Sequence, residues 1–372
     1  MKIVIFGLSI TSSWGNGHAT TFRALSKGLH ARGHRIVFYE RDLEWYASNR
    51  DLPEPPFCCV RLFDSWKAIR SEVRRELADA DVAVVGSYFP DGLAAIDELL
   101  DTKVPVKAFY DIDTPITVAQ LCEKQGSEYL RPDQIPGFDV YLSFTGGPML
   151  QELETRFGAR KAVPLYCSFD PREYRRFAVN KRFACDLSYM GTYAPDRQPK
   201  LETYLCDVAR RLPERKFIVA GSQYPKTIRW PANVRRITHL NPRWHARLYS
   251  SSRLTLNVTR RDMVRAGYSP SVRLFEAAAC GSTLASDEWP GLETFFLPGR
   301  EILLPTSADD VARYLTDMDD AEMRKIGKNA QERVLAEHTS DTRARQFEEY
   351  VNRAGETGEL NSHSSMLSPI SA

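Results

Sequence analysis

The densest chemistry in the sequence lies in Ser269-Pro270-Ser271-Val272-Arg273-Leu274-Phe275-Glu276-Ala277-Ala278-Ala279-Cys280-Gly281, which reads as a capped helix with a glycine stop. Ser269 and Ser271 put hydroxyls and backbone N–H groups at a helix N-terminus, where a phosphate binds readily. Arg273 and Glu276 stand three apart and share a helix face, the spacing of an ordinary surface ion pair. The segment Asn257-Val258-Thr259-Arg260-Arg261 follows a strand pattern and brings more polar and guanidinium groups to the same edge. Cations for a diphosphate and a carboxylate for ribose hydroxyls together suit a nucleotide.

Two further stretches carry candidate groups. In Ser13-Trp14-Gly15-Asn16-Gly17-His18, the glycines Gly15 and Gly17 allow close backbone approach to a ligand at the start of a helix. This is not a dinucleotide fingerprint, because Thr20 stands where the third glycine belongs. The plainer alternative is a tight turn with His18 capping the helix. In Tyr110-Asp111-Ile112-Asp113-Thr114-Pro115, strand alternation puts Asp111 and Asp113 on one side at a carboxyl end. They are candidates for an acid/base pair or metal ligands, and either could instead cap the next helix.

The elements that must position these groups alternate. Ile3–Phe6, Ile36–Tyr39, Val82–Val85, Val106–Tyr110 and Asp139–Ser143 read as strands, with helices over 19–32 and 91–100. A second series has strands over 187–191, 216–220, 254–258 and 283–285, a helix over about 200–211, and helices through Val351. Such alternation predicts α/β architecture: two Rossmann-like parallel-sheet domains with a ligand cleft at the carboxyl ends of the strands. The expected boundaries are 1–168 for a first Rossmann-like domain, 169–182 for a linker and 183–335 for a second Rossmann-like domain. A C-terminal helix over 336–354 and a disordered tail over 355–372 complete them.

Fifty basic against 48 acidic side chains leave +2, too balanced for a general polyanion binder. The basic run Arg172, Arg175, Arg176, Lys181 and Arg182 reads as a solvated face, so no nucleic-acid partner is expected. No apolar run approaches the roughly 20 residues that span a bilayer. The seven cysteines show no C-x-x-C spacing, which points away from zinc and disulfide scaffolds and toward a soluble protein of the cytoplasm.

The stretch from Arg273 to Gly281, continued by Ser286-Asp287-Glu288-Trp289-Pro290-Gly291-Leu292, resembles the donor-binding region of GT-B glycosyltransferases. The resemblance is nearest to the group 1 branch, described as similar to the spore maturation protein CgeB. Val163–Asp170 is similar to that superfamily's interdomain crossing, Ser188–Tyr193 to the start of its C-terminal domain, and Gly17–Leu25 with Arg32-Gly33-His34 to its N-terminal loop and helix. The resemblance implies transfer of a sugar from a nucleoside-diphosphate-sugar to an acceptor hydroxyl with no cofactor, by an enzyme whose relatives include retaining members. No metal is expected, because Asp111 and Asp113 are the only close carboxylate pair and arginines with a helix N-terminus can balance leaving-group charge. It implies that Glu276 binds ribose, and that Gly191, Thr192, Arg197, Arg260 and the Ser269–Ser271 turn surround the diphosphate. Gly17, Gly221, Asn257 and Arg273 complete the implied donor set, and Asp113, His18 and Asp111 are the implied catalytic candidates. Retaining members commonly carry a second glutamate eight positions before the ribose glutamate; here Tyr268 stands in that place. Alternatives on the same architecture are a nucleotide-sugar epimerase or hydrolase, or a catalytically silent binding protein.

Overall fold

The structure, a computed structural model, describes residues 1–15, 17–123 and 126–365, with 357–365 as backbone only. It divides into two compact units, residues 1–166 with 341–372, and 167–340.

The first unit is built on seven strands: β1 (Lys2–Phe6), β2 (Arg35–Arg41), β3 (Cys59–Phe63), β4 (Val82–Gly86), β5 (Val106–Asp111), β6 (Val140–Ser143) and β7 (Ala162–Pro164). They pair in parallel in the order β3-β2-β1-β4-β5-β6-β7. The central strands are covered on both faces, which is why they read as unbroken apolar runs rather than alternating ones. One face packs Val4, Phe6, Val85 and Phe109 with Leu99 and Phe138. The other packs Ile3, Ile5 and Val84 with Phe22, Leu25 and Leu29 of the helix Gly17–Ala31. Each such side chain taken fully out of water contributes about 1.5–3 kcal/mol. Ala344, Phe347 and Val351 of the helix Ser340–Ser365 belong to that second layer.

The second unit has five parallel strands: β8 (Cys185–Met190), β9 (Phe217–Ala220), β10 (Val234–Ile237), β11 (Ser252–Asn257) and β12 (Thr283–Ser286), in the order β10-β9-β8-β11-β12. Leu187, Tyr189, Val219 and Leu256 form one layer with Leu205, Val311, Leu315 and Ile326. In both sheets the strand order reverses once, beside β1 in the first and beside β8 in the second. Loops leaving the two flanking strands there diverge and open a crevice at their carboxyl ends.

Several expectations are revised. Residues 169–182 are not a free linker: they belong to the second unit, where Phe169, Asp170 and Tyr174 are buried. The C-terminal helix begins at Ser340 and continues to Ser365, into the stretch expected to be a tail. The rest of that expected tail, 366–372, lies outside the described residues. Strands β3, β7 and β10 were not expected. The helix expected over 200–211 starts at Gln198 and contains a wider π-helical turn over Glu202–Asp207. All seven cysteines are free thiols. Among the described residues no helix is long and apolar enough to cross a membrane.

Candidate active site

In the first unit the loop after β1 is moulded by Glu40, at the carboxyl end of β2 and fully buried. Its carboxylate accepts from Ile10 N (2.6 Å), Thr11 N (2.9 Å), Thr11 Oγ1 (2.6 Å) and Ser9 Oγ (3.0 Å). Arg23 grips Asp51 at 2.7 and 3.0 Å and the carbonyl of Ile10 at 2.8 Å. These bonds set the path of the chain toward the helix that begins at Gly17, and His18 is buried on that helix.

His18 Nε2 lies 2.8 Å from Asp113 Oδ2, joining two candidates 95 residues apart. Asp113 stands just before the helix Thr114–Cys122, yet its side chain makes no capping bond; it is spent on the imidazole. The His18 ring also stands edge-on to Tyr88, in the loop after β4, at 5.6 Å between centroids. Tyr88 adopts a left-handed φ of 59°, unusual for a bulky residue.

Asp111 takes a different place from its neighbour. It is fully buried and accepts from Tyr141 Oη (2.6 Å), Thr117 Oγ1 (2.8 Å) and the backbone N of Asp113 (3.2 Å). Burial pushes its carboxyl up to about 6, against the pull of the Tyr141 and Thr117 hydroxyls. The expectation that Asp111 and Asp113 form a pair at a cleft is thus revised: Asp111 holds the Asp113 loop from beneath, and Asp113 meets His18.

In the second unit the carboxyl edge is built around Arg273, in the helix Val272–Ala279. Its guanidinium donates to Asn257 Oδ1 at 2.6 Å and, through Nε, to the carbonyl of Met190, and it covers the Tyr189 ring at 4.9 Å. Asn257 Oδ1 also accepts from Ser271 Oγ (3.0 Å), while its Nδ2 donates to Ser286 Oγ (2.9 Å) and Thr259 Oγ1 (3.1 Å). One amide therefore ties the ends of β11 and β12 to the start of the helix. Beside it, Gly191 and Gly221 approach so closely that a Cβ on Gly221 would fall 1.9 Å from the Gly191 carbonyl oxygen. Tyr224 Oη donates to that carbonyl at 3.1 Å. Arg197 donates to the Thr192 carbonyl through one terminal nitrogen, and its buried Nε has no hydrogen-bond partner among the described residues. A cavity of about 340 Å³ nearby is lined by Pro195, Asp196, Arg260, Arg261 and Asp262.

Two members of the implied donor set are occupied internally. Ser269 is buried, its hydroxyl directed at Met263 Sδ at 3.1 Å. Glu276 is buried too, accepting from Tyr249 Oη at 3.4 Å; burial pushes it up to about 7, with the Tyr174 hydroxyl as the leading opposing influence. Arg273 and Glu276 form no ion pair among the described residues, so the ordinary surface pair is replaced by a buried carboxyl and an edge guanidinium.

Residues 197–349 match a family model described as glycosyl transferase-like. Sucrose-phosphate synthase from Thermosynechococcus elongatus shares 14% identity at a TM-score of 0.71, covering 95% of this chain and 98% of that one. HepE of Anabaena, solved with UDP and glucose, shares 12% at 0.69 over 95% of this chain and all of its own. An alpha-glucosyltransferase solved with UDP-glucose and DNA containing an abasic site shares 12% at 0.69, over 94% and 98%. No curated protein sequence matches the chain. This is a GT-B glycosyltransferase fold.

In this GT-B chain the matched segment begins at Arg197 and takes in β9–β12, Arg260, Arg273 and Glu276. The structure adds Tyr224 and Tyr88, which no sequence pattern marked, and Tyr189, named only within a resembling stretch, to the two edges. Asp287, named only within the resembling stretch, is 2% exposed and accepts from Thr259 N and Thr259 Oγ1, both at 2.9 Å, and from Lys200 at 2.7 Å. Gly17 has open space where a Cβ would stand, so packing places no demand for glycine there. Among the described residues no group of three or more His, Cys, Asp or Glu side chains is arranged to hold a metal ion.

Proposed function

We propose that the protein is a glycosyltransferase that moves a hexose from a nucleoside-diphosphate-sugar to an acceptor hydroxyl without a divalent metal, in the manner of the CgeB-like branch. One observation carries the reading. At the carboxyl ends of β8 and β9, two glycine backbones lie close together beside Arg273 and the unpartnered Nε of Arg197, and Arg260 follows β11 in the same sheet. Guanidinium N–H groups and a bare backbone are what a diphosphate needs, and such an anion is the leaving group of sugar transfer.

In the reaction the bond between the anomeric carbon and the diphosphate oxygen breaks, and the acceptor oxygen bonds to that carbon. The diphosphate leaves with the electron pair, and Arg273, Arg260 and Arg197 balance its charge. In the first unit the Asp113 carboxylate is the group that takes the acceptor proton, and the hydrogen bond it accepts from His18 Nε2 at 2.8 Å orients it. The resemblance favours retention at the anomeric carbon and places the ribose against Glu276. Seven free thiols suit a reducing compartment, so we place the protein in the cytoplasm.

The test is a thermal-shift panel of nucleoside diphosphates and their glucose conjugates, followed by turnover with and without EDTA. One diphosphate series should raise the melting temperature by mass action. Turnover should persist in EDTA. Release of free glucose as the only product would make the protein a hydrolase, and no shift with any nucleotide would sink the donor site. Loss of turnover in EDTA with rescue by magnesium would overturn the metal-free route.

A further inference from the structure

The basic run over 172–182 is joined in the folded second unit by arginines from two other segments. Arg175 lies over the Phe177 ring at 4.5 Å, and Arg247, from the helix His245–Ser251, lies over the same ring at 4.9 Å. Arg247 and Arg243 share the Trp244 ring, at 5.5 and 5.7 Å. Trp244 packs against Phe183 at 5.9 Å between centroids, and Arg182 and Arg235 lie over Phe183 at 5.5 and 5.9 Å. Three touching rings thus gather five guanidiniums on one face. The turn that carries part of this face is fixed to the same helix: Phe177 N donates to Ser250 Oγ at 3.0 Å, and Asn180 N to Ser251 Oγ at 2.9 Å.

In the same unit Arg172, Arg215 and Arg253 are each paired with an aspartate. The five arginines on the rings have no ion-pair partner among the described residues, and neither have Arg176 and Lys181, which stand in the same run and are exposed. The chain as a whole carries only +2, so an unneutralised face of this kind is a strong local field. A guanidinium held flat on a ring keeps its N–H edges for acceptors outside the protein. Val179 stands in the run between Arg176 and Lys181 and is 66% exposed, the most exposed large apolar side chain among the described residues. Phe183 leads into β8, so the face adjoins the amino ends of the strands, whereas Arg273 meets the carbonyl of Met190 at the far end.

We propose that this face docks the protein on a membrane surface of anionic lipid, with the guanidiniums against headgroup phosphates and Val179 entering the interface. Peripheral attachment combines a polybasic patch with a small apolar insertion, and both are present here on one turn. Guanidiniums pair well with phosphate oxygens, which supplies the charge complementarity. A platform for single-stranded nucleic acid keeps its aromatic faces open for bases, whereas Phe177 and Trp244 are each taken by two arginines. Docking at the amino ends of the strands needs neither nucleotide nor turnover and leaves the carboxyl edge unobstructed.

The experiment is co-sedimentation of the full chain with vesicles of phosphatidylcholine alone and of phosphatidylcholine containing about 30% phosphatidylglycerol, over a range of salt. Wild type should sediment only with the anionic vesicles, and less as salt rises. Each cation removed should weaken binding about fivefold, so Arg175→Ala, Lys181→Ala and Arg182→Ala together should cost about 100-fold. Val179→Ser should weaken binding a few-fold with the salt dependence unchanged, because it removes only the insertion. Melting temperatures of the variants should match wild type; if the triple variant is unstable, Arg235→Ala with Arg243→Ala repeats the test from other segments of the face. Failure to sediment with anionic vesicles would overturn the proposal, as would equal binding by wild type and a stable variant lacking these cations. Binding of a single-stranded or duplex oligonucleotide by the same face, with no binding to vesicles, would make it a nucleic-acid surface and sink the membrane assignment.

Discussion

Glu276→Gln is a direct probe of the donor unit, because its effect should depend on pH in a calculable way. The carboxyl has an ordinary value near 4.5 and is pushed up to about 7 by burial. A carboxyl raised in the folded state binds its proton more tightly there than in the unfolded chain. Its contribution to stability is therefore fully present below about 4.5 and is lost as pH rises through about 7. The full loss is roughly 3 kcal/mol, of which about 2.5 kcal/mol falls between pH 5 and pH 8. Glutamine cannot ionise, so the variant escapes that loss. Any fixed penalty, such as a poorer bond to Tyr249, is the same at both pH values and cancels in the comparison. The difference in stability, variant minus wild type, should move by about 2.5 kcal/mol in the variant's favour from pH 5 to pH 8. For a unit of this size that is roughly 5–10 °C in melting temperature. The assay is thermal or urea unfolding followed by tryptophan fluorescence, with Trp230, Trp244 and Trp289 reporting on this unit. A constant offset at the two pH values would refute the buried, proton-retaining state of Glu276.

Asp113→Asn should lower turnover about 10²–10⁴-fold with nucleoside-diphosphate affinity unchanged, measured by product formation and calorimetry. Its melting temperature should stay close to wild type, because the side chain caps no helix; a large drop would reassign Asp113 to folding. Phe347→Ala should destabilise by about 3–5 kcal/mol, since the ring is fully buried against the first sheet. Truncation after Arg353 should leave the melting temperature nearly unchanged, and equal melting temperatures for these two changes would contradict the packing of the C-terminal helix. Gly221→Ala should abolish nucleotide binding or folding, because its Cβ would overlap the Gly191 carbonyl; a soluble variant with wild-type affinity would remove the close approach from the argument.

The sequence by itself determined the class of fold and most of its regular elements. Runs such as Ile3–Phe6 and Val82–Val85 are apolar throughout because parallel strands are covered on both faces, and that signal is local. The helix Val272–Ala279 was legible from its Ser-Pro start and Cys-Gly end for the same reason. Strands β3 and β10 escaped notice because they lie at sheet edges, where one neighbour is missing and burial imposes no regular pattern: four of the five β3 residues are not buried. Which polar groups meet was decided only by the tertiary structure. His18 reaches Asp113 across 95 residues because β4, following β1 in the sheet, brings β5 two strands away and turns both loops to one edge. Asp111, two residues from Asp113, is fully buried instead, since a strand residue points into the sheet's covering layer while the next loop residue is free to turn outward. Arg273 prefers Asn257 and Met190 to the nearby Glu276 because strand order sets those acceptors under its guanidinium and packs Glu276 among tyrosines. Residue spacing encodes which face of an element is apolar. The partner of a buried charge is fixed by where distant strand ends come to lie, and no local pattern records that.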